Sequence, residues 1–503
     1  MILAEQLIRS SLKAKPLMFV DGQWVKASDE KTYDVHSPID ATYLAAVPEA
    51  TLTDTDHAID AARQSADKWA SKPSVERARF LLEMAHIISK MADDFANIIT
   101  AENGKTIESS SGEVKRGVGI LTACAEEAKR IYGTVYPSDA SMNVQSKTSF
   151  ERLVFSIREP YGVAVAIPPY SDPLSSTMYK VAPALAAGNA VIVKAPPQTP
   201  LTVILLAFVA HKAGIPNGVL NVLTSSGPEP GIHLVSTPKT DVVTFTGSTS
   251  TGLEIYRSAS TTNKKILLEM SGSDPMIVLE DAEIDRAIRD AIRARFHNAG
   301  QICAAAKRIL VNNRIAHRFI EGFISEARRI VVGNPLKENV TMGPLIDRKS
   351  VERIHGYVQR SLAQGARLTL GGSPLRGDEY KSGCYYPPTV LQNVDSDMDV
   401  MRNELFGPVA PIVSFENDDD AINIANSSVY GLQAAIYSTD IRRALRMSKE
   451  LVCGGVMINE PPFVRWENIP FGGEKLSGLG RDAAQISINE LTKLKVINVY
   501  LGA

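Results

Sequence analysis

The sequence predicts an α/β protein of two units, each a parallel sheet covered by helices on both faces. Three observations carry this. Helical patterns and short apolar runs alternate over most of the 503 residues. The apolar runs, such as AVIVKAP and DVVTFTG, are continuous rather than alternating, as strands buried on both faces must be. The alternation also falls into two series of similar size, and a chain of this length exceeds what one core ordinarily holds.

The elements follow in order. Residues 54–70 and 75–103 carry apolar side chains at helical spacing, the second starting after Pro73-Ser74 and stopping at Gly104. YGVAVAI (161–167) reads as a strand and MYKVAPALAAG (178–188) as a helix closed by glycine. AVIVKAP (190–196) is a strand, LTVILLAFVAHKAG (201–214) a helix, and GVLNVLT (218–224) and DVVTFTG (241–247) are strands. The second series has strands at KKILLEM (264–270) and PMIVLE (275–280), a helix over 284–300, a strand at KRILVNN (307–313) and a helix over 317–333. A loop-rich stretch (369–391) precedes PVAPIVSF (408–415) and GGVMIN (454–459). A strand pair is expected near 147–158. LKVINVYLG (494–502) is a lone alternating strand that needs something to pair with, another subunit being one candidate.

Composition excludes several classes. Hydrophobic residues are 44% and charged residues 22%, with a formal net charge of −2, so neither a nucleic-acid footprint nor a polybasic membrane patch is present. No apolar run reaches the roughly 18–20 residues that span a bilayer. The opening MILAEQLIRSSLKAKPLMFVDGQW lacks signal-peptide features, so a cytoplasmic protein is expected. Cys124, Cys303, Cys384 and Cys453 form no C-x-x-C pair, which argues against a disulfide scaffold and a metal site. Each reads by default as a small buried hydrophobe.

Five stretches carry chemistry. In NAGQICAAAKRILV (298–311), Cys303 follows a glycine turn and precedes small residues, which suits an exposed thiol flanked by backbone N–H groups. A buried structural cysteine fits the stretch as well. In LLEMSGSDP (267–275), Glu269 ends a strand, either as a solvated loop charge or as a base in a cleft. FTGSTSTG (245–252) feeds a strand through a glycine-hydroxyl turn into a helix, suiting a phosphate at a helix N-terminus, although it is not the G-x-G-x-x-G fingerprint. NELFGPVAP (403–411) and PFGGEKLSGLGRD (470–482) read separately as turns.

Together, in this order, these stretches resemble the aldehyde dehydrogenase superfamily from about Asp21 to the end. VIVKAP with Lys194, VGNP (332–335), MGPLI (342–346) and the 34-residue step from Glu269 to Cys303 add to the match. The resemblance implies two Rossmann-like domains and a small β oligomerisation element. It divides the chain into a cofactor-binding domain (1–145 and 160–267), a catalytic domain (268–480) and an oligomerisation element (146–159 and 481–503). It implies Cys303 as nucleophile, giving a thiohemiacetal and then a thioester, and Glu269 as the base that activates water. It implies NAD or NADP held by Lys194 at the adenosine ribose, Gly247 and Ser248 at the pyrophosphate, Glu404 at the nicotinamide ribose, and Phe406 and Pro169 beside the ring. Dimers or tetramers are the family's assemblies.

AVAIPPYSDPLSS (164–176) departs from the pattern. The family's turn carries an asparagine whose amide donates to the oxyanion; here Ser171 stands there, flanked by Tyr170 on the substrate side and by Asp172. Losing one such donor costs about 10²–10³ in turnover. Asp172 reads as the cap of a helix starting near 174. Pro197 replaces a glutamate that NAD-preferring members place three residues after the lysine, so a 2′-phosphate is permitted. EPPFVRWENIPFGG puts Arg465 and Trp466 where members that take small anionic aldehydes bind the anion. Arg116 reaches the same pocket or is structural, and Arg293 and Arg295 read as surface partners on the helix before Cys303. The expected function is NAD(P)-dependent oxidation of an aldehyde, with a small anionic aldehyde as one candidate. The rivals are a coenzyme A-acylating member, against which Glu269 argues, and a catalytically weak nucleotide-binding protein, against which Cys303, Glu269 and Glu404 argue.

Overall fold

The computed structural model describes residues 17–138 and 152–501. Its first sheet has eight strands, in the order Gln23–Val25, Met18–Val20, Leu220–Leu223, Ala190–Lys194, Val163–Ile167, Val242–Thr246, Lys265–Glu269 and Gly478–Leu479. The five central strands are parallel, while both ends are closed by antiparallel pairs. Chain order reverses between Val163–Ile167 and Val242–Thr246. A crevice outside the carboxyl ends of the strands at such a switch point is where α/β sheets bind ligands. The second sheet runs Arg367–Leu370, Thr389–Gln392, Val409–Phe415, Ala306–Asn312, Asp274–Val278, Gln433–Tyr437 and Gly455–Ile458, parallel except at its first edge. Each sheet has its own apolar core.

KKILLEM, read with the second series, closes the parallel run of the first sheet instead. Residues 270–273 alone carry the chain from there to Asp274 in the second sheet. That crossing is pinned. The Met270 N–H donates to the Ser477 carbonyl at 2.8 Å, and Ser477 Oγ to the Ser271 carbonyl at 2.6 Å. A short crossing fixes Glu269 relative to everything that follows.

Several elements differ from expectation. The helix read over 75–103 is two, Ser74–Lys90 and Ala92–Asn103, broken at Met91 where φ is −102° and ψ 21°. The helix read over 284–300 ends at Phe296, and that read over 317–333 ends at Ala327. The tail strand is not lone: Thr492–Tyr500 pairs antiparallel with Arg152–Pro160 along its whole length, and Val135–Tyr136 adds a third strand. Of the strand pair expected near 147–158, residues 147–151 lie outside the described residues. Helix Ala484–Glu490 packs on Ile107–Ala128 and Ser175–Ala187, with Ala484 and Ile488 in the first core.

Helix Ser175–Ala187 buries all but one of its residues and has no side-chain cap of its own. Asp172 is not its cap. Glu113, from Ile107–Ala128, accepts from the Leu174 and Ser175 N–H groups at 2.8 and 3.0 Å. Glu102 does the same for Pro200–Lys212, accepting from Leu201 and Thr202 at 2.8 and 2.9 Å. Buried orphan N–H groups at a helix start need such acceptors, and here distant carboxyls supply them.

Candidate active site

The crevice at the switch point gathers the residues singled out in the sequence. On one side, Lys194 ends its strand and donates to the Ser225 carbonyl at 2.9 Å. Burial holds its ammonium down at about 8, with Glu49 acting in the opposite sense. Glu49 accepts from the Ser226 N–H and Oγ at 2.9 and 2.7 Å. Glu49 thus brings a carboxylate from a distant loop to Ser226, which lines one cavity with Pro197. Ser248 caps helix Thr249–Ser260, its Oγ accepting from Thr251 N–H, so an exposed positive helix end faces the crevice. At Gly247 a Cβ would meet the Phe245 ring at 2.5 Å, so only glycine brings the backbone this close. An ammonium, a helix N-terminus and a carboxylate at Glu404 form a donor and acceptor set that fits a dinucleotide.

Glu404 accepts from the Gly272 N–H at 3.2 Å and from Lys307 Nζ at 3.1 Å. Phe406 packs edge-on against Tyr170, ring centroids 6.0 Å apart.

Glu269 lies opposite Thr246 in the sheet and accepts from Thr246 Oγ1 at 3.2 Å. It is buried, which pushes its carboxyl up; Arg465 and Lys180 pull it down, and Asp482 adds to the rise. Cys303 is its hydrogen-bond partner. Burial and the Glu269 charge hold the thiol well above its ordinary value, against the pull of Lys307 and Arg465. Burial thus favours the neutral form of both groups.

Cys303 is placed by a strained approach. Asn298 (φ 49°) and Ala299 (φ 53°) are both left-handed, at a cost of about 1–2 kcal/mol each. Gly300 continues the turn at φ 74°, where a Cβ would collide with the Arg295 guanidinium and the Gly407 carbonyl. Arg295 is therefore not a surface residue: it is fully buried and donates to the carbonyls of Gly300 and Leu405 at 3.2 and 3.0 Å. Arg293 does not pair with it but lies over the Phe463 ring, 5.3 Å from the centroid.

Ser171 is buried, and its carbonyl accepts from Lys105 Nζ at 2.7 Å and Asn298 Nδ2 at 3.3 Å. Among the described residues its Oγ engages no protein group. Asp172 is ion-paired to Lys105 and Arg116, both at 3.0 Å. Burial pushes its carboxyl up, but the two cations outweigh that and hold it below the ordinary value. Arg116 thus stands at the mouth as the partner of Asp172. His297, on the same wall, contacts Ser109 Oγ at 3.0 Å, and burial lowers its imidazole to about 4.

Arg465 is sandwiched between the rings of Tyr179 and Phe471, 4.0 Å from each centroid, and its buried Nη1 has no hydrogen-bond partner. Trp466 is exposed. Tyr179, Phe471 and Lys307 were not singled out from the sequence. Phe471 and Lys307 stand inside quoted motifs, yet nothing in their spacing tells a contact from a neighbour.

The aldehyde dehydrogenase family model matches residues 24–497. The chain is 36% identical to 3-sulfolactaldehyde dehydrogenase of Pseudomonas putida, over 96% of each chain. It is 34% identical to the NADP(+) succinate-semialdehyde dehydrogenase GabD of Escherichia coli, over 96% of this chain and 97% of that one. A betaine aldehyde dehydrogenase from Staphylococcus aureus, solved with NAD+, superposes with a TM-score of 0.93 at 31% identity, covering 99% and 96%. The match spans both sheets and every motif of the crevice, so the chain belongs to the aldehyde dehydrogenase family and oxidises an aldehyde to a carboxylic acid with NAD(P)+.

Proposed function

We propose that the substrate is a small aldehyde with an anionic tail, held by Arg465 while Cys303 and Glu269 act on the other end. The observation that carries this is the buried, unpartnered Nη1 of the half-buried Arg465, whose charge bears on both Cys303 and Glu269. A buried donor without an acceptor is costly, and a planar carboxylate, phosphonate or sulfonate matches its fork. Relatives named for succinate semialdehyde, glutarate semialdehyde and 3-sulfolactaldehyde support the same class.

In this reading Cys303 passes its proton to Glu269 and its sulfur adds to the carbonyl carbon. Ser171 Oγ and the Cys303 N–H donate to the oxygen that becomes charged. When bound, the nicotinamide supplies the hydride acceptor; Lys194, Gly247, Ser248 and Glu404 hold the dinucleotide, with Pro169 and Phe406 against its ring. Glu269 gives that proton up to solvent, then takes one from water as the hydroxide attacks the thioester and passes it to the departing Cys303 sulfur, releasing the acid and restoring the thiol. Tyr170, beside Phe406, is on the substrate side in this reading, as are Arg116 and Trp466. The same reading keeps the domain division at 267/268, just before the 270–273 crossing, places the protein in the cytoplasm, and makes the three-stranded sheet the contact of a homo-oligomer.

Arg465→Ala is the test. KM for a carboxylate- or phosphonate-bearing aldehyde should rise about 100-fold, and KM for propanal less than threefold. Equal changes would remove the anionic tail from the reading.

A further inference from the structure

Lys307 takes no part in the reaction as derived, yet it lies at its centre. Its side chain is fully buried on strand Ala306–Asn312, four residues after the nucleophile. Nζ donates to the Cys303 carbonyl and to Glu404 Oε1, and the ammonium stands 5.7 Å over the Phe406 ring. One cation therefore touches the nucleophile's backbone, the carboxylate assigned to the nicotinamide ribose and the ring assigned to the nicotinamide.

We propose that Lys307 is a positioning residue that couples cofactor binding to the nucleophile: a ribose that takes hold of Glu404 releases the ammonium to the Cys303 side.

The charges around this path are few. Glu404 and Asp274 face Lys307. Asp274, on the adjacent strand Asp274–Val278, is pushed up to about 7 by burial, with Lys307 the largest opposing influence and Arg308 a smaller one. Glu269 and Arg465 face Cys303, and Lys307 is the cation that pulls hardest on the thiol. While Glu404 is bound to Lys307 its negative charge offsets part of that pull. Two ribose hydroxyls donating to Glu404 would compete for the oxygen that Lys307 holds. Binding coupled in this way is reciprocal: what the cofactor does to the thiol, the ionised thiol does to cofactor affinity.

The proposal rests on the assignment of Glu404 to the ribose, and the test separates the two. Alkylation of Cys303 by iodoacetamide is followed against pH, with and without NAD+, using Cys303→Ala to subtract the other cysteines. In the wild type NAD+ should move the midpoint down by about one unit, roughly a tenfold gain in rate below it. In Lys307→Met the midpoint without NAD+ should lie higher and NAD+ should no longer move it. The Kd of NAD+, read by titration calorimetry, should tighten about threefold, because Glu404 is free. Lys307→Arg should restore part of the shift. Alkylation that responds to NAD+ alike in wild type and Lys307→Met overturns the coupling, as does NAD+ binding that weakens in Lys307→Met. Should Lys307→Met fail to fold, Glu404→Gln without cofactor serves: alkylation should quicken about threefold, and an unchanged rate overturns the proposal. Unchanged NAD+ affinity in Glu404→Gln, with quickened alkylation, would reject only the ribose assignment.

Discussion

Ser171 and Asp172 show how little a single residue means before its neighbours are placed. Asp172 looks like an unwelcome negative charge beside a site that stabilises an oxyanion. Lys105 and Arg116 neutralise it, and Lys105 also donates to the Ser171 carbonyl, so the carboxylate helps hold the turn rather than opposing the chemistry. Among the described residues Ser171 Oγ has no protein partner, which leaves it free for the oxyanion role proposed above. A hydroxyl is shorter than the amide the family carries there. Ser171→Asn is therefore expected to raise kcat about tenfold, read under saturating cofactor and substrate, part of the 10²–10³ that one oxyanion donor is worth. A fall in kcat would mean that the surrounding pocket is shaped for serine. Cys303, Glu269 and Glu404 could be picked out as candidates because they stand inside the stretches that carry the resemblance. Lys307, Tyr179 and Glu49 were not, because their roles come from contacts between segments that no local spacing encodes.

At the scale of elements, strands and most helices were legible from apolar runs and glycine stops, while what holds the helix starts was not. Asp172 stands near the start of Ser175–Ala187 in sequence, but Glu113, some sixty residues away, caps it. Met91 breaks a continuous amphipathic pattern without proline or glycine to announce it. Glu102 is the clearest case for measurement. It is fully buried and accepts from Leu201, Thr202 and the Thr202 hydroxyl, yet burial pushes its carboxyl up to about 8. Its ordinary value is 4.5. Between those two values the folded chain binds the proton that the unfolded chain has lost, so this carboxyl subtracts stability as pH rises from 4.5 to about 8. Glutamine keeps the acceptor and has no proton to lose. The melting temperature of Glu102→Gln minus that of the wild type should therefore increase by a few degrees from pH 5 to pH 9. A difference that stays flat or shrinks would mean that the buried carboxyl is already ionised at pH 5.

At the scale of the whole molecule, the two large sheets are joined through residues 270–273 and 473–480, and a three-stranded sheet shares no strand pairing with either. In that small sheet Thr492–Tyr500 lies at the edge, paired on one side with Arg152–Pro160. Directly opposite residues in an antiparallel pair share a face, which places Leu494, Val496, Asn498 and Tyr500 on one side with Arg158, Ser156, Val154 and Arg152. Leu494 is 54% exposed and Val496 58%. An exposed apolar pair on an edge strand invites pairing or packing with another chain, and among the described residues its one strand partner, Arg152–Pro160, leaves Leu494 and Val496 exposed. Lys495 pairs with Glu159 on the opposite face, so a charge placed there would not test the apolar one. Val496→Asp puts a carboxylate at the exposed apolar pair, directly opposite Ser156 in register and diagonal to Arg158, which already donates to the Asn489 carbonyl and Thr492 Oγ1. Light scattering at micromolar concentration should give a dimer or tetramer for the wild type and the mass of one chain for Val496→Asp. An unchanged mass would place the contact between subunits elsewhere on the molecule.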